Sequence, residues 1–146
     1  MKKKKYKGTV LIADNRTETH LIEDYLKDIG YHVINAYSAE DVLIQSDAHF
    51  DIALIDRSLA RGMDEESYRN IIRSHWSFVR EMEFSGDEMI QILANQKPKP
   101  IIICIGVYDT DNSKKFGADA SLPKPWERED LMQLIENIRA NRRGRG

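Results

Sequence analysis

Apolar residues fall along this chain in two alternating patterns. Short continuous runs rich in strand formers alternate with stretches in which apolar residues recur at helical spacing. The first run is Thr9 to Ala13, closed by Asp14, Asn15 and Arg16. Leu21, Ile22, Tyr25, Leu26 and Ile29 then share one helical face, and Gly30 stops the helix. Asn15 with Glu18 has the form of a capping box at its start. His32 to Ala36 predicts a second strand, and Ser38 with Asp41 caps a short helix carrying Val42, Leu43 and Ile44. Asp51 to Asp56 predicts a third strand, apolar inside and acidic at its end. A helix opens at Ser85, Gly86, Asp87 and Glu88. Pro100 introduces a fourth strand, Ile101 to Ile105, and Ala120 to Leu122 is a short fifth. The last helix runs from about Glu127 to about Asn141 and buries Leu131, Leu134, Ile135 and Ile138. Strands that are continuously apolar, alternating with helices, predict an α/β fold with a parallel sheet covered on both faces.

Residues 57–84 exceed what a direct connection between strand and helix needs. Within them Tyr68, Ile71, Ile72, His75, Trp76, Val79 and Met82 recur at helical spacing, which predicts an additional amphipathic helix over roughly Glu65 to Glu83. It reads equally well as a solvated decoration and as a surface for a partner or for self-association. Tyr68, Trp76 and Phe78 are costly to leave in water. The other elements suffice for the fold, so removing the insertion is expected to leave a folded core. The chain is read as a single domain, 1–146, with a core of about 8–141 and basic tails at both ends.

Composition changes this picture little. Apolar residues make up 41% and charged residues 32% of 146, an ordinary globular balance. A net charge of −2 gives no global reason to expect nucleic acid as a partner of this domain by itself. The charge is nevertheless uneven. Lys2, Lys3, Lys4, Lys5 and Lys7 crowd the start, Arg139, Arg142, Arg143 and Arg145 crowd the end, and the body between is acidic. Solvated termini are the simpler account of these tails, and weak contact with nucleic acid or acidic lipid is the alternative. Cys104, the sole cysteine, lies in an apolar run and reads as a core residue. No signal peptide and no membrane span is evident, so the expected location is cytoplasmic.

In parallel α/β sheets, sites form at the carboxyl ends of the strands. Asp14 follows the first strand, Asp56 ends the third and Lys124 follows the fifth. Clustered carboxylates suit a hard cation such as Mg²⁺. Such a cation lets a carboxylate act as nucleophile toward phosphorus, and a lysine holds another phosphoryl oxygen. Other chemistries lack their residues. The turn from Asp14 to His20 has no glycine for a dinucleotide or P-loop cradle, and the four histidines and one cysteine have no metal-ligand spacing. No Ser-His-Asp arrangement can be argued. Nothing around His75 suits phosphotransfer.

Four stretches, Val10 to Asp14, Asp51 to Asp56, Pro100 to Ile103 and Gly117 to Pro125, resemble the receiver domain of two-component response regulators. The resemblance covers nearly the whole chain. It implies a CheY-like, flavodoxin-like fold with a five-stranded parallel sheet in the order 2-1-3-4-5, here with an extra helix inserted after strand three. It implies that Asp56 accepts a phosphoryl group from a histidine kinase or phosphotransfer protein, and that Lys124 pairs with that group. Mg²⁺ is then expected on Asp14, Asn15 and Asp56. The implied role is signalling to a downstream protein partner, not enzymatic turnover. The bond before Pro125 is often cis in relatives.

The sequence also departs from that pattern. Asn15 stands where relatives usually carry a second acid, which is expected to weaken Mg²⁺ binding, although Asn15 also serves well as an N-cap. Ile105 stands where a Thr or Ser hydroxyl usually relays the switch, and Ser121 stands where an aromatic ring usually moves. The stretch Gly106 to Phe116 favours turns over helix. The alternative reading is therefore a pseudo-receiver, a protein-interaction module that keeps the fold without the switch.

Overall fold

The computed structural model describes residues 6–14, 19–106, 110–123 and 127–144. Five strands, β1 (Thr9–Ala13), β2 (His32–Ala36), β3 (Ile52–Asp56), β4 (Ile101–Gly106) and β5 (Ala120–Pro123), form one parallel sheet in the order β2-β1-β3-β4-β5. The helices are α1 (Thr19–Asp28), α2 (Ala39–Ile44), α3 (Glu65–His75), α4 (Ser85–Ala94) and α5 (Arg128–Gly144).

The central strands β1, β3 and β4 are apolar on both sides because both sides are covered. Val10 and Ile12 of β1, Ile52 and Leu54 of β3, and Ile101, Ile103 and Ile105 of β4 pack with Leu26 of α1 and with Leu131 and Ile135 of α5. The alternate positions Leu11, Ala13, Ala53, Ile55, Ile102 and Cys104 pack with α2, α3 and α4. Local signals set the ends of the elements. Gly30 closes the α1 turn at a φ of 106°, which favours glycine. At α2, Ser38 Oγ accepts from the Asp41 amide at 3.2 Å, and Asp41 Oδ2 accepts from the Tyr37 amide at 2.9 Å.

Two expectations need correction. The inserted helix ends at His75, not near Glu83. Its start is well capped, with Asp64 accepting from the Ser67 amide at 2.8 Å. Beyond Trp76 the chain leaves helical geometry, because α4 supplies hydrogen bonds that replace those of a further helical turn. Glu88 accepts from the Met82 amide at 3.0 Å, and Gln91 accepts from the Arg80 amide at 2.7 Å and donates back to its carbonyl at 3.0 Å. The spacing of Val79 and Met82 therefore belongs to a non-helical segment pinned along α4. The stretch between β4 and β5 is also not turns alone: Thr110–Phe116 is a 3-10 helix.

The insertion is also no decoration. Tyr68 and Ile72 of α3 are 0% and 1% exposed and belong to the main core beside Met89, Ile90 and Leu93 of α4. Fully buried Glu88 accepts from Tyr68 Oη at 2.8 Å and pairs with the Arg69 guanidinium, which also donates to the Met82 carbonyl at 3.2 Å. Burial, followed by the Glu88 carboxylate, pushes the Tyr68 hydroxyl pKa well up, so tyrosine stays the proton donor. The expectation that the core stands without residues 64–83 does not fit this packing. Phe78 stays about half-exposed.

Candidate functional site

The β1–β3 register pairs Ala13 with Ile55. Asp14 therefore leaves β1 alongside Asp56, the last residue of β3. Both are buried, at 2% and 1% exposure. Across the sheet Asp56 pairs with Ile105, and Cys104 pairs with Ser121. The structure thus brings together Asp14, Asp56 and Ile105 at the carboxyl edge, with Ser121 on the adjoining strand. Asn15, its capping partner Glu18, Lys124 and the bond before Pro125 lie outside the described residues.

The turn after β3 orients the Asp56 carboxylate. The Leu59 amide donates to the Asp56 carbonyl at 3.2 Å. Within that turn the Ser58 amide and the Ser58 hydroxyl both donate to Asp56 Oδ1, at 2.8 and 2.9 Å. An aspartate bonded to the amide two residues on is a local turn, so the Asp-x-Ser spelling carried this signal, and the sequence reading missed it. Two donors on one oxygen fix the rotation of the carboxylate.

Arg57, next in the chain, ties the end of β3 to β4 and α4. Its amide donates to the Ile105 carbonyl at 3.0 Å, and its Nε donates to Asp87 Oδ2 at 3.0 Å. Its guanidinium lies 4.5 Å over the Phe84 ring. Asp87 sits in the first turn of α4 and is fully buried, and its Oδ1 has no hydrogen-bond partner among the described residues. Burial pushes the Asp87 carboxyl above its usual pKa range against the pull of Arg57. The start of α4 lies against the Asp56–Arg57 backbone: the Gly86 amide donates to the Arg57 carbonyl at 3.1 Å, and a Cβ at Gly86 would collide with that backbone. Arg61 instead joins the insertion, 3.6 Å from Glu65 and 5.3 Å over the Tyr68 ring. Cys104 is fully buried, and burial pushes its thiol up to about 11, as suits a core residue.

Among the described residues no three His, Cys, Asp or Glu side chains come together as a metal site. The donors at the carboxyl edge are Asp14 and Asp56, with Asn15 following in the sequence. Two buried carboxylates at neighbouring strand ends are hard oxygen donors of the kind that suits Mg²⁺. No helix among the described residues is long and apolar enough to cross a membrane.

No protein-family model matches the chain. It is 24% identical over 129 residues to the transcriptional regulatory protein CpxR of Escherichia coli, covering 88% of this chain and 47% of that relative. The chain thus spans about half the length of the curated relatives it matches. Among solved structures it is similar to a CheY-like response regulator receiver domain protein from Methanospirillum hungatei, with a TM-score of 0.67, 24% identity, and coverage of 94% of this chain and 98% of the other. It is also similar to the signal receiver domain of a modulated diguanylate cyclase from Desulfovibrio desulfuricans, with a TM-score of 0.68, 22% identity, and coverage of 95% and 98%. The sheet order, the acidic strand ends and these likenesses agree: the chain has the fold of a CheY-like response-regulator receiver domain and resembles that family along most of its length.

Proposed function

We propose that the chain is a phosphoacceptor receiver in which Asp56 takes a phosphoryl group from a phosphohistidine on a sensor kinase or phosphotransfer protein. A carboxylate oxygen of Asp56 forms a bond to phosphorus as the phosphorus–nitrogen bond breaks, and the imidazole leaves with a proton. The observation that carries this reading is the buried Asp56 at the end of β3, beside Asp14 and held in one rotation by both donors of Ser58. Asp14, Asn15 and Asp56 would hold Mg²⁺, which supplies positive charge for the phosphoryl oxygens when bound. Lys124 would pair with the same oxygens.

The signal leaves the site by an unusual route in this reading. Ile105 has no hydroxyl and Ser121 has no ring, so the contacts that relatives use between strands four and five are missing. Arg57 is one residue from Asp56 and holds buried Asp87 in α4. A phosphoryl group on Asp56 would compete for that guanidinium, loosen the start of α4 and reach the insertion packed on it. The downstream protein partner then docks on the insertion, residues 57–84.

Incubation with a small-molecule phosphodonor and Mg²⁺, followed by intact-mass measurement, tests the site. One added phosphoryl group is expected, and none in Asp56→Asn. Labelling that survives Asp56→Asn sinks the assignment. No labelling of the unaltered chain would leave the interaction-module reading.

A further inference from the structure

The opposite pole of the sheet carries a different chemistry. α5 runs back along the sheet and ends beside the amino ends of β3 and β4. Arg142 there donates to the Lys99 and Pro100 carbonyls, each at 3.0 Å. A cavity of about 320 Å³ opens at this pole, and His49, Lys99, Arg139, Arg142 and Arg143 line it, with Asp51 the only acid in its wall among the described residues. Lys99 and Arg142 share Asp119, at 2.9 and 3.1 Å. Arg139 lies 5.8 Å over the Tyr31 ring, and neither it nor Arg143 has a carboxylate partner among the described residues.

The amino-terminal segment reaches the same pole. The Lys7 amide donates to the Gly30 carbonyl at 2.8 Å, and Gly8 lies against the Asp51 side chain, whose Oδ2 accepts from the Thr9 amide at 2.7 Å. Lys2, Lys3, Lys4 and Lys5 directly precede this anchored point in the sequence. Tyr6 is 47% exposed, and its ring is tilted against His32 at 5.2 Å. Lys99, Arg139, Arg142 and Arg143 thus gather on one face, away from the acidic carboxyl edge.

Arginines at the end of α5 also complement its helix dipole. That accounts for their sign but not for the concave wall they form with Lys99. We infer that this pole is a docking surface for nucleic acid, gripped through its phosphodiester backbone without sequence preference. Arginine guanidinium groups match phosphate oxygens in pairs. The half-exposed Tyr6 ring offers a stacking face for a base. The net charge of −2 hides this surface, because 24 acidic residues along the chain outweigh 22 basic ones.

Fluorescence anisotropy of the full chain with a labelled 20-nucleotide single strand, from 25 to 200 mM salt, tests the inference. Binding is expected at low salt, with affinity falling linearly on a log–log plot. In Arg139→Gln/Arg143→Gln the slope should flatten by about 2, because each backbone contact contributes about one to it. Arg73→Gln, an exposed arginine of α3, should leave both affinity and slope unchanged, and circular dichroism would check that each variant folds. No binding at 25 mM salt would overturn the inference, and so would an equal loss in Arg73→Gln. Capture by phosphatidylserine vesicles with no binding to the oligonucleotide would overturn it in favour of a lipid surface.

Discussion

Asp56, Asp14 and Ile105 could be located from the sequence because each ends or follows a strand, and a parallel sheet brings strand ends to one edge. Asn15, which follows Asp14 in the sequence, carries no charge. Asn15→Asp adds an anionic ligand, so Mg²⁺ should bind about tenfold tighter, equivalent to ~1.4 kcal/mol. Titration followed through Trp126 fluorescence measures it, and an unchanged curve would make Asn15 a helix cap only. A second residue-scale prediction concerns the buried Glu88. Tyr68→Phe deletes its 2.8 Å hydrogen bond while the carboxylate stays buried. Urea denaturation should show a loss of about 2 kcal/mol. A loss below about 0.5 kcal/mol would mean that Arg69 and the Met82 amide satisfy Glu88 without Tyr68.

Among the elements, α3 is where helical spacing in the sequence and the folded chain part company. Its first half follows the spacing, with Tyr68 and Ile72 facing inward. Its expected second half is drawn out along α4 because Glu88 and Gln91 bind its backbone. Those partners lie several residues downstream, so no local pattern reveals them. Removal of residues 64–83 takes Tyr68, Ile72 and Val79 out of the core. At about 1.5–3 kcal/mol for each large buried side chain, the loss rivals the whole stability of an ordinary domain. The shortened chain should therefore lose its cooperative thermal transition. A sharp transition within a few degrees of the intact chain would instead restore the insertion to the status of an appendage.

For the molecule as a whole, the question is where a new charge at Asp56 is felt. The Arg57–Asp87 pair predicts that beryllofluoride with Mg²⁺, standing in for the phosphoryl group, changes amide hydrogen exchange in residues 57–84 and the first turn of α4. Changes confined to β4, β5 and α5 would rule this route out. The sequence by itself determined the order of strands and helices, the double-sided apolar strands and the acids at their carboxyl ends. All of these follow from period, length and capping chemistry within a few residues. Tertiary structure decided what depends on partners distant in the chain. It made the insertion part of the core, gave Arg57 to a buried carboxylate 30 positions away, and gathered Lys99 with Arg139, Arg142 and Arg143 at one pole. Side-chain packing and long-range charge have no period along a sequence, so they could be read only once the sheet had brought those residues together.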